Sequence, residues 1–286
     1  MHQTAIYLEK KGYRVTYVPV DRYGLIDLDF LRSAVTPRTA LVSIMYGNNE
    51  IGTIQPIEAV VRIAKEKGAL VHTDAVQAFG KIDIQVEKLG VDLLSVSSHK
   101  IYGPKGVGAL YVRRGTSFLP FLHGGHQERG LRAGTENTIG IIGFGEAARI
   151  LPEKFESDRV RIERLARRLK TGIEEKIPKV RFNGHPERRI KSTLNFSFLG
   201  LEAEAILLAL ATKEIYVSTG SACSEELEEV SHVLLAIGLR PEIARSTVRL
   251  SLGRFNTDDD LDIVLRELPD IIEKLRKISA FNPEDA

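Results

Sequence analysis

The sequence predicts an α/β fold built on a mostly parallel sheet. Three short apolar runs, at 40–45, 69–73 and 91–96, are each typical of a strand that is buried on both faces. An amphipathic helical segment lies between the first two runs, and a shorter helical stretch separates the second from the third. Strands that alternate with helices favour parallel pairing, because each helix carries the chain back to the starting edge of the sheet.

The elements of the first half follow in order along the chain. The first strand ends in a polar loop rich in Gly and Asn at 46–52, and the helix after it begins near Pro56 and ends at Gly68. The helix has an apolar face made of Ile57, Val60, Val61, Ile63 and Ala64. After the third apolar run, a further strand is expected at 108–112.

The second half predicts more helix and fewer strands. A helix is expected at 138–151, where Pro152 should end it, and a long charged helix at 153–175 should place its charges on a solvated face. The remaining elements are two strands and a closing helix, expected at 192–198, 248–252 and 258–278. We therefore expect a large domain at 1–152 and a smaller C-terminal α+β domain at 153–286.

Composition excludes several classes of protein. A chain of 286 residues with 43% hydrophobic content can bury a large core, and its net charge of +2 does not favour direct binding to nucleic acid. No apolar run approaches the roughly 18 residues of a membrane span. The N-terminal sequence does not resemble a secretory signal, and a single cysteine cannot form an internal disulfide, so we expect a cytoplasmic protein with no membrane partner.

Polar residues follow three of the predicted strands at the point where each strand ends. Asn49 follows the first strand, Asp74 the second, and Ser97–Lys100 the third. In parallel sheets, ligands bind just beyond the carboxyl ends of the strands. These residues are therefore expected to face one crevice.

Lys100 and Asp74 together indicate pyridoxal 5′-phosphate. The aldehyde of this cofactor forms a Schiff base with a lysine amine, and its pyridine nitrogen needs a carboxylate that keeps it protonated. Either residue alone is more often a surface charge or a turn residue. Their joint position at the ends of neighbouring strands makes the cofactor site the better interpretation.

Six motifs carry a more specific resemblance. They are NNEIG, HTDAVQ, SSHKIYGPKGVGALYVR, GGHQERGLRAGTEN, STGSACS and VRLSLGRF, in this order, and the resemblance that they carry runs from the first residues to about Thr257. In order and spacing the chain resembles the cysteine desulfurases, which are fold-type I pyridoxal phosphate enzymes related to class V aminotransferases. The resemblance implies removal of sulfur from L-cysteine, release of L-alanine, and a persulfide that serves iron–sulfur cluster assembly or tRNA thiolation.

The resemblance also implies a role for each matched residue. Lys100 corresponds to the Schiff-base lysine and Asp74 to the partner of the pyridine nitrogen, while Gln77 and Asn49 lie near the phenolic oxygen. The residues that resemble phosphate ligands are Ser97, His99 and, from the neighbouring subunit, Thr135. If Thr135 completes the partner's site, the active form is a homodimer.

Cys223 is the only cysteine, and its surroundings argue for a nucleophile. A lone cysteine is usually a small buried hydrophobic residue. Here the flanking segment 218–226 is small, polar and contains Gly, which is typical of an exposed loop. Such a loop suits a thiolate that takes sulfur from the substrate and passes it to an acceptor protein such as an iron–sulfur scaffold. An ordinary thiol is only a few per cent ionised at neutral pH, so a nearby group such as His99 is expected to assist.

The substrate carboxylate requires a fixed cation, and an arginine can bind it with two parallel hydrogen bonds. Arg249 matches the carboxylate-binding position of the family, whereas Arg254 is expected to form a structural ion pair. Two histidines, His123 and His126, flank a Gly pair, but two histidines without a third ligand are weak evidence for a metal, so none is expected.

The chain departs from the family at its start. By resemblance, family members carry a further N-terminal segment with a phosphate-binding turn and a histidine that stacks on the cofactor ring, and His2 does not match that histidine. Two alternatives therefore stay open. The chain is an inactive truncated or split desulfurase that needs a complementing N-terminal piece, or it is a related enzyme such as a selenocysteine lyase.

Overall fold

The structure is a computed structural model that describes residues 1–220 and 230–279. Its helices are α1 (His2–Lys10), α2 (Leu28–Ala34), α3 (Ile57–Lys65), α4 (Val86–Leu89), α5 (Thr138–Lys176), α6 (Ala203–Ala211), α7 (His232–Ala236), α8 (Pro241–Arg245) and α9 (Asp258–Ile278). Its strands are β1 (Leu41–Met45), β2 (Leu70–Asp74), β3 (Leu93–Ser97), β4 (Gly108–Val112), β5 (Val180–Phe182), β6 (Thr193–Phe198) and β7 (Thr247–Ser251). No helix within the described ranges is both long and apolar enough to cross a membrane.

The first sheet has the strand order β1-β2-β3-β4. The first three strands pair in parallel, which confirms the predicted α/β fold with a mostly parallel sheet. Strand β4 pairs antiparallel with β3. Only residues 98–107 separate these two strands, and a parallel connection needs a crossover of a dozen or more residues.

Helix α3 covers one face of this sheet. The five residues of the predicted apolar face are all buried, and they pack in one cluster with Val71 of β2 and Leu94 of β3. Each fully buried aliphatic side chain of this kind contributes roughly 1.5–3 kcal/mol to folding. The cluster holds the parallel strands together beneath their carboxyl ends.

The second sheet has the order β5-β6-β7 and is antiparallel. Every residue of β6 is buried, because helices and loops cover both of its faces. Residues of α5, α6 and α9 pack with β6 and β7 in one cluster, to which α5 contributes Leu165, Leu169 and Ile173.

One prediction about the helices is wrong. Pro152 was expected to end a helix at residue 151, but α5 continues through it from Thr138 to Lys176. Contacts on both sides of the proline explain this. Before it, a Cβ on Gly103 would lie 3.2 Å from Ala147 Cβ, so the helix rests on the turn that follows Lys100. After it, the helix packs in the hydrophobic cluster beside the second sheet, which we call the second core. This tertiary packing outweighs the local free-energy cost of a proline inside a helix.

The two sheets are connected directly. Thr53, in the loop after β1, forms an antiparallel bridge with Arg189, which precedes β6. The amide of Ile54 also donates to the carbonyl of Arg188 at 2.9 Å. The division into domains at 1–152 and 153–286 stays a prediction.

Candidate active site

Asp74 is the last residue of β2 and lies between its two parallel neighbours. It pairs in register with Met45 of β1 and with Ser95 of β3. Its carboxylate accepts a hydrogen bond from the Val76 amide at 3.0 Å. Asn49 lies four residues beyond the end of β1, and Ser97 ends β3. The polar residues of the three strands therefore meet at one edge of the sheet, as the sequence predicts.

His72 links all three parallel strands beneath this edge. Its Nδ1 lies 2.7 Å from Ser43 Oγ on β1, and its Nε2 lies 2.9 Å from Ser95 Oγ on β3. Burial lowers the pKa of His72, although the charge of Asp74 opposes that shift. A neutral ring that exchanges one donor and one acceptor with two hydroxyls fixes the spacing of the strands on either side of Asp74.

Lys100 lies in a 3-10 turn, Ser98–Ile101, that begins directly after β3. The turn ends at Tyr102, whose φ of 69° is left-handed. Gly103 follows because a Cβ there would lie 2.2 Å from Ser98 Oγ. The chain therefore reverses tightly around Lys100, and no hydrogen bond or ion pair engages its ammonium within the described part of the chain.

Ser97 and His99 contact each other at the base of the same turn. Ser97 Oγ lies 2.8 Å from His99 Nδ1. Loss of solvation and the positive charges of Lys100 and Lys105 lower the pKa of His99. The imidazole is therefore mainly neutral at neutral pH and can still donate one N–H to an anion.

Arg249 brings the second sheet to this edge. It lies on β7, and its Nη1 donates to the carbonyl oxygen of Asn49 at 3.0 Å. Its backbone also pairs with Ser218, since the Arg249 amide donates to Ser218 O at 2.7 Å and the Ser218 amide donates back at 3.2 Å. The segment that leads toward Cys223 is thus anchored to the strand that carries Arg249. Cys223 itself lies outside the described residues.

Gln77 lies three residues after Asp74, and a second lysine engages it. The Lys81 ammonium donates to Gln77 Oε1 at 2.8 Å. Burial and the positive charges of Lys100 and Arg249 lower the pKa of Lys81 to about 8. Three cations from two sheets therefore converge here, and such a cluster favours an anion between them.

Arg254 has a structural role, as expected. Its Nε donates to Asp158 Oδ2 at 2.6 Å, and its guanidinium lies 4.7 Å from the centre of the Tyr102 ring. The backbone amide of Arg254 donates to the Tyr102 hydroxyl at 2.6 Å. These contacts connect the end of β7 with helix α5 and with the turn that holds Lys100.

Thr135 lies away from the other residues, exposed in the long connection between β4 and α5. The neighbouring Gly134 has a φ of 105° and donates its amide to Gln127 Oε1 at 3.1 Å. The structure of a single chain does not bring Thr135 to the sheet edge.

Comparison with known proteins places the chain in a family. The class-V aminotransferase family matches residues 3–264. A cysteine desulfurase IscS from Methanosarcina thermophila is 50% identical over 282 residues, which is 99% of this chain and 70% of the relative. Among solved structures, a NifS-like protein superposes with a TM-score of 0.88 at 41% identity, over 96% of this chain and 72% of that one. The structure described as "SspA in complex with cysteine" has a TM-score of 0.73 at 37% identity, over 89% of this chain and 71% of that one.

The chain belongs to the cysteine desulfurases. They form part of the class-V aminotransferase family, so the fold is fold-type I and the cofactor is pyridoxal phosphate.

The side chains of this desulfurase fit that cofactor. A carboxylate, Asp74, and an amine without a hydrogen-bond partner in the described ranges, Lys100, lie on the ends of adjacent strands. A hydroxyl and an imidazole, from Ser97 and His99, offer neutral donors beside them for a phosphate group.

A cavity of about 630 Å³ opens beside Lys100, between the two sheets. Its lining includes Lys81, Lys100, Tyr102 and Arg254. Among the described residues, Asp74 and Asn49 are not part of this lining, so the cavity borders the two lysines and not the end of β2.

Sequence reasoning missed two residues of the candidate site. His72 is two residues before Asp74, so the period of a strand places both on one face. Lys81 is four residues after Gln77, a spacing that brings side chains together in a turn or helix. The spacing was visible in both cases, but neither residue type in isolation indicates a ligand.

Proposed function

We propose that this cysteine desulfurase transfers the sulfur of L-cysteine to Cys223. The products would be L-alanine and a Cys223 persulfide, from which sulfur passes to a cytoplasmic acceptor protein for iron–sulfur cluster assembly or tRNA thiolation. The observation that carries the proposal is the convergence of Lys100 with Arg249 at the edge that holds Asp74. It supplies an amine for the cofactor and a cation for the amino acid carboxylate.

Lys100 has two tasks in this proposal. Its Nζ would hold the cofactor, and its amine, when free, would accept the proton from the substrate Cα. Lys100 forms no hydrogen bond with another described side chain, so its amine is available for both tasks. When bound, pyridoxal phosphate supplies an electron sink for the bonds at the substrate Cα and Cβ.

Five polar residues would orient the reacting groups. Asp74 holds a proton on the pyridine nitrogen, while Ser97 and His99 donate to the phosphate. Asn49 and Gln77 face the phenolic oxygen, and Asn49 also borders the substrate. The hydrogen bond from Arg249 to the Asn49 carbonyl supports this placement, since it holds the substrate cation next to a cofactor-binding loop.

The sulfur step is balanced without any outside oxidant. The Cys223 thiolate attacks the substrate sulfur, a sulfur–sulfur bond forms, and the Cβ–S bond breaks with its electrons left on the substrate carbon. Protonation at Cβ, followed by return of the Cα proton from Lys100, would then give alanine. His99 is the candidate that assists ionisation of the thiol, and its mainly neutral ring suits a group that accepts a proton. The solved relative bound to cysteine supports L-cysteine as the substrate.

A homodimer completes the proposed site, with Thr135 reaching the phosphate of the partner subunit. Large apolar side chains are exposed on both sides of the Thr135 loop. Leu119 and Phe121 are each 88% exposed, and Ile139 is 85% exposed. Large apolar side chains that are this exposed favour burial against another protein surface.

The experiment is an absorbance titration of the purified chain with pyridoxal phosphate, followed by L-cysteine and an assay for alanine. We expect a visible band that shifts on addition of cysteine, release of alanine, and a persulfide at Cys223. Cys223→Ala should abolish the persulfide and alanine release, whereas Ser224→Ala serves as the matched control. Alanine release that survives in Cys223→Ala would refute the nucleophile. A chain that never develops the band would favour a fragment that needs a complementing N-terminal piece.

A further inference from the structure

We propose that Lys81 is a positioning residue that fixes the Gln77 amide so that its NH₂ group faces the phenolic oxygen of the cofactor. This inference rests on the proposed function, in which Gln77 contacts that oxygen. No motif of the sequence analysis gave Lys81 a role.

The chemistry of the contact fixes the orientation of the Gln77 amide. A charged lysine ammonium has three donors and no acceptor, so the atom of Gln77 that contacts Lys81 Nζ at 2.8 Å must be the carbonyl oxygen. The amide plane is then fixed, and the NH₂ group points away from Lys81. In the described part of the chain, no hydrogen bond uses that NH₂ group.

The turn that carries Lys81 lies directly against the one that holds Lys100, since a Cβ on Gly80 would lie 2.6 Å from Ile101 Cγ2. The turn is itself closed by a hydrogen bond from the Lys81 amide to Ala78 O at 2.9 Å. Lys81 and Lys100 line the same cavity. Gln77 follows Asp74 by three residues, and the Lys81 turn borders the Lys100 turn, so the contact between Lys81 and Gln77 connects the two parts of the proposed cofactor site.

The environment of Lys81 opposes its positive charge. Burial disfavours the charged ammonium, and Lys100 and Arg249 repel it, so the pKa of Lys81 falls to about 8. Four carboxylates line the cavity with Lys81, namely Asp83, Glu156, Asp158 and Glu163. The last three pair with arginines, whereas neither Lys81 nor Asp83 has an ion-pair partner within the described ranges. A buried ammonium beside two other cations is unfavourable, which favours a specific role for Lys81. The contact that the structure shows for this ammonium is its hydrogen bond to Gln77.

The consequence is a change in the cofactor's own titration. An NH₂ donor stabilises the phenolic oxygen as an anion, whereas a flipped amide would place a carbonyl oxygen against it. Removal of one such hydrogen bond corresponds to a shift of about 0.5 to 1 pH unit. Lys81→Met should therefore raise the pH midpoint of the visible absorbance change by about that amount.

A double-mutant cycle separates positioning from simple charge. Protein loaded with pyridoxal 5′-phosphate is titrated from pH 5.5 to 10 as wild type, Lys81→Met, Gln77→Ala and the double variant. If Lys81 acts through Gln77, Lys81→Met shifts the midpoint in the wild type and has no further effect in the Gln77→Ala background. An equal shift in both backgrounds would overturn the proposal, because it would show a long-range charge effect. Lys81→Arg should restore the midpoint, and the exposed Lys88→Met is the matched control.

A measurement without the cofactor keeps the inference separate from the proposed function. In the cofactor-free protein, the NMR signals of the Gln77 side-chain NH₂ should move with a midpoint near the Lys81 pKa of about 8. They should lose that transition in Lys81→Met. Signals that do not respond to Lys81 contradict the positioning role. Signals that respond, in a protein that develops no visible band with the cofactor, would support the contact and refute the proposed function instead.

Discussion

Arg249 Nη1 donates to the carbonyl oxygen of Asn49 at 3.0 Å, across 200 residues of chain. The contact joins the antiparallel sheet to the loop that follows β1 of the parallel sheet. It places the proposed carboxylate-binding cation and a proposed cofactor-binding residue in one structural unit. A domain boundary near residue 152 would therefore be crossed by the site itself.

Arg249→Lys tests this arrangement. Lysine keeps the charge but loses the planar pair of donors, so it cannot bind a carboxylate with two parallel hydrogen bonds while it also donates to Asn49. We expect KM for L-cysteine to rise about 10- to 100-fold, with kcat changed by less than about threefold. Steady-state kinetics measure both values. A KM within twofold of the wild type would remove Arg249 from the substrate site.

Arg254→Lys should behave in the opposite way. The guanidinium of Arg254 contacts Asp158 and the Tyr102 ring, and its side chain is only 21% exposed. Lysine would lose the stacking and part of the hydrogen bonding, which should cost about 1–2 kcal/mol of unfolding free energy. Urea denaturation measures this loss, and KM should stay unchanged. The reverse pattern in the two arginine variants would exchange their assignments.

The strands were predictable because their signal is local. Buried parallel strands are short apolar runs, and β1, β2 and β3 each begin and end within two residues of the prediction. Pro152 shows the limit of local reasoning. A proline inside a helix is unfavourable, but α5 is held on one side by the Lys100 turn and on the other by Leu165 and Leu169 in the second core. Such packing cannot be read from the local pattern around a proline.

The candidate site divides in the same way. Asp74 and Lys100 could be found because strand ends and residue chemistry suffice to place them. Lys81 could not, since its importance depends on which atom of Gln77 it contacts and on charges that lie 19 and 168 residues further along the chain. The hydrogen bond between Arg249 and Asn49 was equally hidden, because sequence gives no register between the two sheets.

Gly103→Ala tests whether the turn around Lys100 is under steric control. The new Cβ would lie 2.2 Å from Ser98 Oγ and 3.2 Å from Ala147 Cβ, so the turn or helix α5 has to move. We expect a loss of about 1–3 kcal/mol in urea denaturation and slower loading of the cofactor. Gly145→Ala is the control, because no atom lies within 4 Å of its new Cβ and alanine favours the helix. Ser98→Ala should recover part of the loss in the double variant, and its failure to do so would contradict the proposed clash.

Lys81 should also leave a signature in the pH dependence of stability. Its pKa is about 8 in the folded chain against 10.5 for an ordinary lysine, so between these values the unfolded chain binds more protons than the folded one. The contribution of Lys81 to the free energy of unfolding must therefore rise as pH increases from about 8 to 10.5. This contribution is lowest below pH 8, where Lys81 is charged in both the folded and the unfolded chain. Lys81→Met removes the buried charge, so the variant should be more stable than the wild type at pH 7 by about 1–3 kcal/mol. That advantage should shrink steadily up to pH 10.5, as the wild-type lysine becomes neutral.

Urea denaturation of the cofactor-free proteins at several pH values measures the difference in unfolding free energy between wild type and Lys81→Met, in which the contributions of other titrating groups cancel. Lys88→Met, at an exposed position, should show no such trend. A constant difference between wild type and Lys81→Met across this range would mean that Lys81 is not held as a strained cation beside Lys100 and Arg249.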